Sequence, residues 1–81
     1  MAPWPCDGGL CFTVYVDGVR VTAHATAATL QLHFDAPNPG DAALARAFYA
    51  HIERLQVEAV ARYRLHPNAE RKVHVTGLPM T

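Results

Sequence analysis

From Leu10 the chain alternates, with Leu10, Phe12, Val14 and Val16 on one side of an extended backbone and Cys11, Thr13 and Tyr15 on the other. After Asp17-Gly18 the alternation resumes: Val19, Val21, Ala23 and Ala25 against Arg20, Thr22 and His24. A period of two predicts strands, and Asp-Gly between them predicts a hairpin, because a type I′ turn needs positive φ at both central residues. A two-residue loop opposes Val16 to Val19, hence Val14 to Val21 and Phe12 to Ala23 on one face, and Tyr15 to Arg20, Thr13 to Thr22 and Cys11 to His24 on the other. The period then changes. Thr26 is placed to cap a short helix ending near Phe34, with Leu30 and Phe34 on one side. From Asn38 to Leu65, the residues Leu44, Phe48, Ile52, Leu55, Ala59 and Tyr63 recur at helical spacing and predict one long helix with a buried stripe. Asn38 reads as its N-cap and Pro39 as its first residue; His66-Pro67-Asn68 ends it. Val73 and Val75, alternating with Lys72 and His74, predict a third strand closed by Gly77 and Pro79.

These elements give an α+β fold of order ββααβ. The third strand runs parallel to the second, so an antiparallel sheet places it beside the first. The expectation is a three-stranded antiparallel sheet of order 2-1-3, with one long and one short helix packed on one face. Residues 1–81 form a single domain in which 1–9, holding Pro3, Pro5, Gly8 and Gly9, are an irregular N-terminal arm and Trp4 folds back over the core edge. The long helix, at about 40 Å, should overhang a strand of about 23 Å.

Composition supports one compact core. Of 81 residues, 51% are apolar and 17% charged, which fits a globular domain rather than a disordered one. The net charge is zero but unevenly spread. Residues 1–45 hold four aspartates against Arg20, and residues 46–81 hold six basic against three acidic residues. No basic, apolar leader opens the chain and no stretch suits a bilayer, so a cytoplasmic location is expected, with Cys6 and Cys11 as free thiols.

The strand around Phe12, the turn Asp17-Gly18 with Val19 and Val21, Thr26 with Leu30, and the helix bearing Phe48, Ile52, Ala59 and Tyr63 together resemble a short bacterial family known only as domain of unknown function 1488. The resemblance spans most of residues 10–76. It implies a small α+β domain and brings no catalytic, cofactor or binding residue with it.

Three groups of residues carry candidate chemistry. Cys11 and His24 share the outer sheet face, and His74 on the third strand would lie beyond Cys11; a thiolate and two imidazoles suit zinc. They lack the close paired-ligand spacing of structural zinc sites, which favours a solvated polar face and no metal. Arg62, Arg64, Arg71 and Lys72 form a basic group that could contact phosphate or nucleic acid, diluted by Glu58 and Glu70. Ala43, Ala47, Ala50, Arg54, Val57 and Ala61 follow a heptad seam opposite the buried stripe, and small side chains there would let a second copy approach. A second route to pairing is the strand Val19–Ala25, placed at the sheet edge and charged only at Arg20. No nucleophile with a base, carboxylate pair or phosphate loop is present, and His51 reads as a packing residue beside the stripe. The expected function is a non-enzymatic interaction module without cofactor. Its partner would be a second copy of itself or another protein, and not a membrane. A small regulatory or nucleic-acid-binding protein acting through the basic group is the alternative.

Overall fold

The computed structural model describes residues 2–6 and 8–75. Its elements are β1 (Trp4–Cys6), β2 (Gly9–Val16), β3 (Val19–Thr26), α1 (Ala27–His33), α2 (Asp41–Ala50), α3 (Ile52–Leu65) and β4 (Lys72–Val75). The hairpin has the expected register from Val16–Val19 down to Cys11–His24. Asp17 and Gly18 both take positive φ, 52° and 82°, as a type I′ turn demands. Thr26 caps α1 by accepting a hydrogen bond from the Thr29 amide.

The sheet itself is different. It is four-stranded and mixed, ordered β1-β2-β3-β4, not three-stranded, antiparallel and ordered 2-1-3. β4 lies beside β3 and parallel to it, Ala23 opposite Val73 and Ala25 opposite Val75. Parallel neighbours need a crossover of a dozen or more residues, and the helices between Ala27 and Leu65 supply one. The place expected for β4, beside β2, is partly taken by the N-terminal arm. Trp4, Pro5 and Cys6 pair antiparallel with Cys11, Leu10 and Gly9, so this segment is a strand rather than an irregular arm. Trp4 does not lid the core; it belongs to the row Trp4, Cys11, His24, His74 that crosses all four strands. Gly9 permits the close packing at this end, since a Cβ there would collide with the Ala25 carbonyl oxygen. The strand Val19–Ala25 is therefore central, not an edge. The strand end expected at Gly77 and Pro79 lies outside the described residues.

The long helix is two helices, which makes three among the described residues. An unbroken helix over 38–65 would measure about 40 Å, more than the 33 Å longest extent of the fold. The break falls at His51, with φ −125° and ψ 29°. Its amide still donates to Ala47 and Phe48 and its carbonyl accepts from Leu55, so the backbone groups of His51 itself stay bonded through the turn. The His51 ring packs edge-on to Phe34 at 5.6 Å, and its Nε2 reaches Asp35 Oδ2 at 3.4 Å. Helix α2 starts at Asp41 with Gly40 as its cap. Asn38 is not the cap and Pro39 not the first helical residue; Asn38 Oδ1 instead accepts from the Gly40 amide in the turn before it.

Despite the break, the stripe is buried. Leu44, Phe48, Leu55, Ala59 and Tyr63 join Phe12, Val14, Val21, Ala23, Val73 and Val75 in one core, with Ile52 half-buried against it. Phe12 and Phe48 meet at 5.0 Å between ring centroids, so the sheet and helix halves of the pattern interlock at their largest side chains.

Candidate functional site

The outer face of the sheet carries the chemistry that the sequence only hinted at. Alternation sends Cys11, Thr22 and His24 to the side opposite Phe12 and Ala23, and the β3–β4 register sets His74 directly against His24. His74 thus lies beyond His24, not on the far side of Cys11. Cys6 and Cys11 are joined by a disulfide and are not free thiols. The bridge ties β1 to β2 and lies along the same face, in a cleft it shares with Trp4, Thr22, His24 and His74.

Two short contacts fix the imidazoles. His24 Nε2 is 3.3 Å from the Cys6 carbonyl oxygen, an atom that can only accept, so Nε2–H donates. Neutral His24 then presents a bare Nδ1, which lies 3.3 Å from His74 Nδ1; His74 donates across that gap. The rings meet edge to face with centroids 5.4 Å apart. With the bridge closed, no group of three or more His, Cys, Asp or Glu side chains among the described residues could hold a metal ion. The expected Cys11, His24 and His74 set is brought together in space, but its thiolate is consumed.

The basic group is dispersed by ion pairs. Arg62 Nε lies 3.3 Å from Glu58 Oε1 and Arg64 Nη2 lies 3.2 Å from Asp17 Oδ1 at the hairpin turn. Arg71 precedes β4 and Lys72 opens it, and the Arg71 carbonyl accepts from the Thr22 amide. Two of the four cations thus face carboxylates, which weakens the case for phosphate binding.

The seam is divided by the elbow at His51. Ala43 and Ala47 lie on α2, where Ala47 is core, 6% exposed. Ala50, Arg54 and Val57 line a cleft opened at the elbow, and Arg54 sits over the Phe34 ring at 5.2 Å. Only the α3 part, Arg54, Val57 and Ala61, remains a continuous exposed stripe, prolonged by Leu65.

A family model described as "Protein of unknown function (DUF1488)" matches residues 5–75. The chain belongs to this family. The match takes in the DUF1488 strand β1 from Pro5, the Cys6–Cys11 bridge and both histidines. No curated protein and no solved structure matches the chain, so family membership brings a fold unit and no activity.

Sequence reading missed Cys6. The signal was present in retrospect: Trp4 and Cys6 alternate before Gly8-Gly9, and Cys11 follows at hairpin spacing. Proline at positions 3 and 5 hid it, because proline is admitted only at edges, and an edge is what β1 is.

Proposed function

We propose that this DUF1488 protein is a non-enzymatic interaction module that self-associates in the cytoplasm through the outer face of α3. The observation that carries the reading is the stripe Arg54, Val57, Ala61 and Leu65, in which Val57 and Leu65 are 68% and 74% exposed. An antiparallel pair of α3 helices would set Val57 of one copy against Ala61 of the other, a branched side chain into the space a small one leaves. The sheet edges are poorer routes. β1 is three residues long, and Asn68 covers the outer edge of β4 by donating to the Lys72 carbonyl at 2.7 Å and accepting from its amide at 3.1 Å. Among the described residues no helix is long and apolar enough to cross a membrane, which is consistent with this placement.

Sedimentation equilibrium tests the proposal. Wild-type protein should be dimeric at high micromolar concentration and Val57→Glu with Ala61→Glu monomeric at unchanged helicity. A wild-type monomer, or a dimer indifferent to both substitutions, overturns it.

A further inference from the structure

We propose that reduction of the Cys6–Cys11 bridge converts the outer sheet face into a binding site for zinc or a similar soft divalent ion, with His24 and His74 as its preset nitrogen ligands and the freed thiolates completing it. Three independent observations converge. First, His24 Nδ1 and His74 Nδ1 are 3.3 Å apart. Two nitrogens bound to one tetrahedral zinc at about 2.0–2.1 Å are themselves about 3.3 Å apart, so the pair already has the spacing of two corners of the tetrahedron. Second, the opposite nitrogen of His24 donates to the Cys6 carbonyl. Metal-bound histidines commonly use the second nitrogen this way, and it holds Nδ1 deprotonated and aimed. Third, Cys11 is the direct cross-strand neighbour of His24 and is bonded to Cys6, so both sulfurs border the histidines in one cleft. A dithiol or glutathione reductant delivers two electrons and two protons to the bridge, giving two thiols while it is itself oxidised to a disulfide. Zinc then displaces the two thiol protons to solvent, the His74 proton moves from Nδ1 to Nε2 through solvent so that Nδ1 is bare, and the ion binds two thiolates and two neutral imidazoles. The sulfurs must separate to about 3.8 Å to occupy adjacent corners, a movement open to the short edge strand β1 once the bridge no longer holds it. Cytosolic disulfides are mostly transient and redox-sensing, and this one would sense by exchanging a covalent bond for a metal. The proposal does not depend on self-association through α3.

Cobalt(II) titration of the full chain tests it, after reduction with a phosphine that binds metal weakly. Reduced wild type should take up one cobalt per chain, with a thiolate-to-cobalt charge-transfer band and the intense visible bands of tetrahedral geometry, and zinc should displace it. His74→Ala removes an exposed side chain and leaves the core intact. It should weaken binding at least about a hundredfold, because loss of mere outer-shell partners already costs tenfold to a hundredfold. Oxidised wild type, and Cys6→Ser with Cys11→Ser, should lack the charge-transfer band. Absence of that band in reduced wild type overturns the proposal. So does an affinity unchanged from wild type in both His24→Ala and His74→Ala, which would assign the metal to the thiolates alone.

Discussion

Phe48 is the largest fully buried side chain in the helices. It is 2% exposed, meets Phe12 across the sheet–helix boundary at 5.0 Å, and touches Tyr49 edge-on at 5.3 Å. Truncation leaves a cavity at the place where both layers interlock, and a buried Phe→Ala change costs about 3–5 kcal/mol. A small domain holds about 5–15 kcal/mol in total, so Phe48→Ala should lose a large share of its stability. The urea midpoint measures this; a midpoint equal to wild type would mean that the ring is dispensable to the core. Hydrophobic spacing alone revealed Phe48, because a side chain that must be buried leaves its period in the sequence. Cys6 was not revealed that way, since a bridge depends on where two chain segments meet.

At the scale of elements, two single residues mark where secondary structure stops. His51 ends α2 and begins α3 with neither proline nor glycine nearby, so helix propensity alone runs straight through it. From outside, the bend packs against the ring of Phe34, and the exposed carboxylate of Asp35 lies 3.4 Å from the His51 ring. Asn68 does the reverse job at β4. Its carboxamide takes both outward backbone groups of Lys72 and so occupies a ladder position that another strand could use. Asn68→Ala should therefore lower stability by about 0.5–1.5 kcal/mol and also raise association at the exposed edge. Concentration-dependent light scattering together with a urea melt separates these effects. Unchanged scattering at millimolar protein would show that the edge needs no cover.

For the molecule as a whole, sheet order determines which surface has chemistry. Placing β4 beside β3 sets His74 against His24; placing it beside β2 would have parted them. The parallel pairing predicts nuclear Overhauser contacts between the backbones of Ala23 and Val73 and of Ala25 and Val75, and none between the backbone of β4 and the backbone of Phe12 or Val14. Contacts of the second kind would restore the antiparallel order. The same arrangement leaves the hairpin at the centre, with the disulfide-tied β1 on one flank and β4 on the other.

Local rules determined a good part of this. The hairpin register, the type I′ turn, the Thr26 cap, the strand at Val73 and Val75 and the identity of the buried stripe all follow from side-chain period and turn chemistry, interactions between residues a few positions apart. Tertiary structure decided what such rules cannot reach: the elbow at His51, the capture of Trp4–Cys6 as a strand, the closing of Cys6 onto Cys11 and the parallel seat of β4. Each of these depends on contacts between segments that the alternation of apolar and polar residues describes equally well in either arrangement. Val73 and Val75 would face the core beside β2 as readily as beside β3. The free sheet positions and the length of the helical crossover made the choice, and with it the meeting of His24 and His74.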